Sequence, residues 1–397
     1  MPELEKIGYL VPQFPGQTHV FFWREILAME KAGVEVCLFS TRKPPPGLIS
    51  HRWSKEAIAR TEYLGAPTLG NALATLPRLP VAELAREAGG GAFWRDVLIS
   101  APAARRLAQS CARQGITHVH AHSCGRAALI VALAHQLYGL SYSLTLHGAL
   151  SDYGPGQGFK WRGAKFATVI TRALMADIMP VIGADMPERT VIQPMGVDTD
   201  ILTRDAPYVP PRPDEQLRLF SCGRLNMAKG HQDTMQAVRL LLDRGVNVAL
   251  EIAGEDDLGG HGYRKELETQ VVALGLQQQV TLLGAVDAGA IRDKLQAAHL
   301  FVLPSWREAL GVAYMEAMSC GVPTIGTTVG GVGELIDDGV DGLLLDPQQP
   351  ALLAETIAGL AADPERCLRF SAAGRATVVR RFNAAVGAQT LIHEAGR

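Results

Sequence analysis

The sequence predicts an α/β protein of two domains, each an open parallel sheet with helices on its faces. Three observations carry this. A chain of 397 residues is longer than one hydrophobic core usually serves. Short apolar runs alternate with segments of helical periodicity, first from Lys6 to Gln193 and again from Leu217 to Leu345, and strict β-α alternation implies parallel strands. Between the two alternations stands Pro207 to Pro213, which holds four prolines and reads as a domain boundary. The expected division is 1–205, a linker at 206–215, 216–375, and a last helical segment at 376–397.

The first alternation opens with the apolar run Lys6 to Val11. A helical stretch follows from Phe21 to Ala32, with Phe22, Ile26, Leu27 and Met29 in period and Gly33 as its stop, then a strand from Val34 to Ser40. The intervening loop, Pro12 to Val20, has no G-x-G-x-x-G, which argues against a dinucleotide-binding oxidoreductase. Residues 41–113 are less ordered in pattern, broken by Pro44-Pro45-Pro46, Pro77, Pro80 and Gly89-Gly90-Gly91, and lean positive. There Phe93, Trp94, Val97 and Leu98 precede Arg105-Arg106. That combination suits a membrane surface or a lipid-diphosphate acceptor, although an amphipathic helix packed on its own domain is the favoured reading.

Strands are expected at His118 to Ala121, Ser141 to Leu146, Thr168 to Thr171 and Val191 to Gln193. His118, His120 and His122 alternate along the first of these and are read as serving both sheet faces, against a metal cluster. His122 and His147 both end strands. Asp198-Thr199-Asp200 forms a D-x-D, but its place after a strand end is adequately explained by Asx-type turn hydrogen bonds. The second alternation has strands at Leu217 to Cys222, Val248 to Ala253, Val280 to Leu283, Leu300 to Leu303, Thr324 to Thr327 and Gly342 to Leu345. Two Rossmann-like domains are the conclusion.

Composition bounds the function. Hydrophobic residues are 47% and charged residues 20%, ordinary for a globular protein, and a net charge of −2 argues against bulk nucleic-acid binding. Six cysteines are scattered without C-x-x-C pairing, so they are expected to be reduced. No signal peptide fits the start, and no run approaches the ~18 apolar residues of a membrane span. A cytoplasmic protein is expected, with peripheral contact at the cytoplasmic face of the membrane left open by residues 41–113.

The chemistry concentrates at strand ends of the second half. Leu300 to Leu303 runs into Pro304-Ser305. After Gly311, Val312, Met315, Ala317 and Met318 recur at helical spacing until Gly321-Val322-Pro323 stops them. A strand-loop-helix junction of this kind offers free N–H groups and partial positive charge to an anion. Glu308 and Glu316 flank it, roughly 12 Å apart by helical rise, a span suited to a nucleotide sugar. At the first strand end of this half, Arg224 and Lys229 can converge on one diphosphate.

Glu308, Gly311, Glu316-Ala317-Met318 and Gly321-Val322-Pro323 resemble the E-x7-E signature of retaining glycosyltransferases of family 4, which have the two-domain GT-B fold. Gly223-Arg224 with Lys229-Gly230 resembles the same family's G-R-x…K-G motif, and Gly330 to Glu334 its closing loop. Pro12, Phe14, Pro15 and Phe21 are similar to the opening of an exopolysaccharide-building subgroup. The sequence departs from the pattern at Ala309-Leu310, where an aromatic residue is common.

The resemblance implies a cleft between the domains as active site and a set of roles. Glu308 would hold donor-sugar hydroxyls, Glu316 the ribose, and His147 the sugar near its reacting carbon. Arg224, Lys229, Gly311 and Val312 would carry the diphosphate, while Gly254 and Val286 frame the base through backbone groups. Gly16, Gln17, Thr18, His19 and His122 would lie beside the leaving phosphates or the acceptor. It further implies a hexosyltransferase using a UDP-sugar, or next GDP-mannose, as co-substrate, with no cofactor and no metal. The acceptor would be a saccharide or lipid-linked precursor, and the segment 376–397 would cross back to the first domain. The rivals are a nucleotide-sugar epimerase of the same fold and an inactive sugar-nucleotide-binding or scaffold protein.

Overall fold

The structure, a computed structural model, describes residues 4–17, 19–44, 51–65, 69–87 and 89–397. It divides into two compact units. The first comprises residues 1–46, 53–194 and 387–397, and the second residues 47–52 and 195–386.

Among the described residues the first unit contains seven strands: β1 (Lys6–Gln13), β2 (Glu35–Arg42), β3 (Thr61–Tyr63), β4 (His118–His122), β5 (Ser141–Leu146), β6 (Ala167–Val169) and β7 (Thr190–Ile192). They form one sheet in the order β3-β2-β1-β4-β5-β6-β7, and every pairing is parallel. The order reverses beside β1. At such a switch point the connections leave in opposite directions and open a crevice at the strands' C-terminal ends.

One face of this sheet is covered by the helix Val20–Lys31, which buries Phe22, Trp23, Ile26 and Met29. The chain's last helix covers the same face, with Ala388, Leu391 and Ala395 in the same apolar cluster. Each such large side chain contributes about 1.5–3 kcal/mol relative to exposure. The tail is also pinned by polar contacts, since Lys165 Nζ donates to Ala395 O at 2.7 Å and Arg189 pairs with Glu394 at 2.9 Å. On the other side lies Arg126–Tyr138, buried from Ala127 through Ala134, because the long helix Gly90–Gln114 covers it. A helix that is apolar all round is an interior helix.

The second unit holds β8 (Leu217–Cys222), β9 (Val248–Ala253), β10 (Val280–Gly284), β11 (Leu300–Val302), β12 (Thr324–Thr327) and β13 (Leu343–Leu345). Its order is β10-β9-β8-β11-β12-β13, again wholly parallel, with its switch point between β8 and β11. The units part at Pro194/Met195, upstream of the prolines at 207–213. Residues 195–208 pack on the second unit: Ser319 Oγ donates to Leu202 O at 2.6 Å, Tyr208 O–H to His299 O at 2.8 Å, and Arg204 to Gln296 O at 2.8 Å.

In residues 41–113, Phe93 and Val97 are buried in the first unit, as a packed amphipathic helix requires, while Leu98 and Ile99 are exposed. Among the described residues, no helix is long and apolar enough to cross a membrane.

Candidate active site

In the second unit three loops leave the sheet at the switch point and are knitted together by backbone. The turn Met227–Lys229 follows β8 and leads into the helix His231–Asp243. Trp306 N–H donates to Ala228 O at 2.8 Å, and the Trp306 indole N–H donates to Asp233 at 2.6 Å. Thr327 Oγ1, at the end of β12, donates to Ser305 O at 2.6 Å. Two glycines permit the approach. A Cβ on Gly230 (φ +70°) would lie 2.0 Å from Pro304 O, and one on Gly330 (φ +56°) 1.8 Å from Glu308 O; only glycine fits a left-handed backbone pressed against a carbonyl.

This packing brings Lys229 Nζ to Glu308 Oε2 at 2.5 Å, both largely buried, with Ser305 Oγ at 3.5 Å from the same oxygen. Gly311 (φ +99°) caps the helix Val312–Ser319, whose first N–H groups have no helical partner. Glu316 lies one turn in and is only 8% exposed. Burial, and after it the Glu316 carboxylate, hold the Cys222 thiol at the end of β8 well above its usual range. The stop at Gly321 is as expected: its N–H bonds to Met318 O at 2.9 Å, and Val322 N–H to Ala317 O at 3.0 Å.

Arg224, at the end of β8, is 52% exposed and pairs with Asp257 at 3.6 Å. Gly254 N–H donates to Gly284 O at 2.9 Å, joining the ends of β9 and β10. Val286 follows that junction, next to Asp287, which caps the helix Ala288–Ala297 through Ala290 N–H at 2.9 Å.

Sequence reading missed the anchor of the loop after β9. Asp256 accepts backbone N–H from Leu258, Gly260, Gly262 and Arg264 at 2.9–3.0 Å. Burial alone would raise its carboxyl; these four donors outweigh that and hold it below the usual range. The run Gly259-Gly260 after two aspartates was the available signal. Asp198 behaves as expected of an Asx turn, its Oδ1 accepting from Asp200 N–H and Ile201 N–H at 3.0 Å each.

The first unit's switch point gathers histidines. Side chains two residues apart on a strand point the same way, so His118, His120 and His122 occupy one face, which corrects the assignment to two. His118 bonds Ser141 and Ser143 at 2.8 Å each, and His120 bonds Ser143 and Thr145 at 2.7 Å each. Parallel register sets these pairs side by side, His118 opposite Ser141 and His120 opposite Ser143.

His122 Nδ1 meets His147 Nε2 at 2.9 Å, while His122 Nε2 faces Glu25 Oε2 at 3.3 Å. Tyr9 O–H donates to the same Glu25 oxygen at 2.6 Å. Burial first, then neighbouring histidines, hold His122 and His147 well below the ordinary imidazole range, so both rings are neutral near pH 7. The helix Val20–Lys31 supplies the lid, with Phe21 and Phe22 ring centroids 5.4 and 5.3 Å from that of His147. Gly16 accepts the His19 N–H at 3.0 Å, with Gln17 in the turn between them, and the His19 ring packs on Phe22 at 5.2 Å. Thr18 lies outside the described residues. Among the described residues, no group of three His, Cys, Asp or Glu could hold a metal ion.

Two Rossmann-like units of parallel sheet, each with its polar cluster at a switch point, are the architecture of GT-B glycosyltransferases. Residues 205–377, which lie within the second unit, match the family described as "Glycosyl transferases group 1". The chain is 31% identical over 233 residues to D-inositol 3-phosphate glycosyltransferase of Xylanimonas cellulosilytica, covering 53% of this chain and 52% of that protein. It is 27% identical over 313 residues to alpha-maltose-1-phosphate synthase of Mycolicibacterium smegmatis, covering 70% of this chain and 78% of that one. It spans about half the length of the first curated relatives it matches. HepE of Anabaena, solved in complex with UDP, superposes with a TM-score of 0.75 over 98% of this chain and 99% of its own, at 19% identity, a likeness of fold.

Proposed function

We propose that this protein is a retaining glycosyltransferase of family 4, of the exopolysaccharide-building type. It moves a hexose from a nucleotide diphosphate sugar, UDP-sugar first and GDP-mannose next, to a saccharide or lipid-linked acceptor. The observation that carries this is the second unit's cluster: Lys229 against Glu308, beside the free N–H groups of the helix that starts at Val312. HepE, with the same fold, is known with UDP bound, and the relatives named above are a glycosyltransferase and a maltose phosphate synthase.

In the reaction the bond between the anomeric carbon and the diphosphate oxygen breaks, and its electron pair leaves with the nucleoside diphosphate. Lys229, Arg224 and the Val312 N–H groups stabilise that negative charge as it develops. Glu308, held in place by Lys229, accepts hydrogen bonds from the sugar hydroxyls. Glu316 binds the ribose, and the backbone near Gly254 and Val286 frames the base. The acceptor oxygen bonds to the same face of the carbon, and its proton passes to the departing phosphate. His147 binds the sugar near the reacting carbon, and the turn at Gly16–His19 serves the phosphates or acceptor. No metal takes part in this scheme.

The test is release of UDP, GDP or ADP from a panel of nucleotide sugars with saccharide and lipid-linked acceptors, in chelator, followed by NMR of the product anomer. One nucleotide should be released with the donor's anomeric configuration retained. Inversion, or loss of activity in chelator, overturns the mechanism. Binding of a nucleotide sugar without transfer to any acceptor is the result for an inactive sugar-nucleotide-binding protein.

A further inference from the structure

Tyr314 joins both ends of the loop that carries Glu308. It stands in the first turn of the helix Val312–Ser319 and is fully buried, where a phenol O–H needs a hydrogen-bond partner. That partner is Leu303 O at 2.5 Å, the carbonyl at which the chain leaves β11. Ser305 N–H donates to the same oxygen at 2.9 Å. The ring reaches the loop's other end. A Cβ built on Gly311 would lie 2.3 Å from Tyr314 Cδ2, and one on Gly326, in β12, 3.1 Å from Tyr314 Cε1. Phe301, on β11, meets the ring edge-on, with centroids 6.0 Å apart and planes at 85°.

Gly311 carries this contact on to Glu308. The same Cβ on Gly311 would lie 3.4 Å from Glu308 Cγ, so the glycine touches both the Tyr314 ring and the Glu308 stem. Lys229 fixes the tip of the Glu308 side chain, and Tyr314 braces the backbone from which it springs. Burial first, and after it the Glu308 carboxylate, push the Tyr314 phenol well above the usual tyrosine range, so its O–H remains a donor. Holding the ends of a loop together limits where its middle can stand.

We propose that Tyr314 is a positioning residue for Glu308: it ties the start of the loop at Leu303 to its end at Gly311, so that the Glu308 carboxylate is already in place for the donor-sugar hydroxyls. The sugar contact rests on the function proposed above; the tie does not. The rest of the helix is held by its other buried residues, Met315 to Ser319, so the diphosphate and ribose contacts assigned to it do not depend on the tie. A site braced in this way needs no reorganisation when substrate arrives.

The experiment uses Tyr314→Phe, which keeps the ring and removes the O–H, in the full chain. Crystal structures of the parent and of this variant should show the loop shifted and Glu308 drawn away from Lys229. With the donor selected from the nucleotide-sugar panel above, kcat should fall about tenfold, less than the roughly 100-fold of a full ångström's misplacement. UDP, which has no sugar for Glu308 to hold, should bind as tightly as it binds the parent. Adding Tyr314→Phe to Glu308→Gln should lower kcat no further. Ile357→Val, in the core of the same unit, is the control for lost stability alone: its Tm should fall with kcat unchanged. Tyr314→Leu removes the ring as well and should cost about 100-fold in kcat; if it does not fold, Tyr314→Phe decides.

A Tyr314→Phe structure with Glu308 still against Lys229 overturns the proposal whatever the kinetics. So does a variant that behaves like Ile357→Val, losing Tm and keeping kcat, which is what a merely structural tyrosine would give. UDP binding weakened as much as kcat also overturns it, because the brace would then serve the diphosphate and not Glu308. If the loop moves as stated but the parent turns over no nucleotide sugar, it is the glycosyltransferase assignment that fails.

Discussion

At the switch point of the first sheet the polar groups are buried, hydrogen-bonded side to side and built mostly from neutral rings and hydroxyls; at that of the second they are charged, partly open to water and set by backbone. His118, His120 and His122 belong to the first kind, with His147 half-buried beside them, and Lys229, Glu308 and Arg224 to the second. A neutral buried network keeps its shape because every deviation leaves a polar atom unsatisfied. A charged cluster at loop ends keeps its shape only as long as the loops do, and it remains free to exchange one ionic partner for another. The first kind suits recognition of hydroxyls, the second capture of a diphosphate.

If the second cluster depends on backbone packing, Gly330→Ala should have the largest effect. The left-handed φ and the approach to Glu308 O would force the loop away and displace Glu308, and a displacement of about 1 Å costs about 100-fold in turnover. Normal kinetics in this variant would show that the glycine contact does not hold the site. Lys229→Met comes next. It leaves Glu308 buried without its cation and removes a diphosphate ligand, so kcat for nucleotide-sugar turnover should fall by about 100-fold or somewhat more, whereas Lys229→Arg should recover part of it.

The two units should also respond differently to acid. His118 is held down to about 3 by burial and then by Lys165 and Arg189, with His120, His122 and His147 also low; in the second unit His231 and His299 are held down to about 4. A group whose folded value lies below its unfolded one contributes stability above the unfolded pKa and loses it as pH falls toward the folded one, at about 1.4 kcal/mol per pH unit per proton. Four such histidines against two make the first unit lose stability faster between about pH 6.5 and 4. Glu25, raised by burial, offsets part of this. Hydrogen exchange of β4 and β5 against β8 and β11, corrected for intrinsic rates, should show the steeper loss in β4 and β5; equal slopes would break the comparison. The smallest effect is expected from Trp306→Phe, which loses one hydrogen bond to Asp233, worth about 1 kcal/mol and a shift in Tm of about 2–4 °C.

Most strands were legible because parallel strands read as apolar runs ending in glycine or proline: Ser141–Leu146, Leu217–Cys222, Val248–Ala253 and Thr324–Thr327 stand where they were expected. The junction at Gly311 and the turn at Asp198 were legible for the same local reason. Contacts made over long sequence distance were not. Glu25 occupies a core position by its spacing from Phe22 and Met29, a readable anomaly, but its partner His122 lies 97 residues on. The shared face of His118, His120 and His122 followed from the strand's period alone and was misassigned. That Lys229 meets Glu308 across 79 positions depends on the loop packing permitted by Gly230 and Gly330, which no local pattern reveals.

The most direct measurement is a calorimetric titration of UDP into the parent protein, Glu316→Ala and Glu25→Leu. The account expects saturable binding by the parent, binding weakened at least about tenfold in Glu316→Ala through loss of a ribose contact, and unchanged affinity in Glu25→Leu. Absence of binding to the parent, or weakening in Glu25→Leu with Glu316→Ala unaffected, would contradict the assignment of nucleotide binding to the second unit.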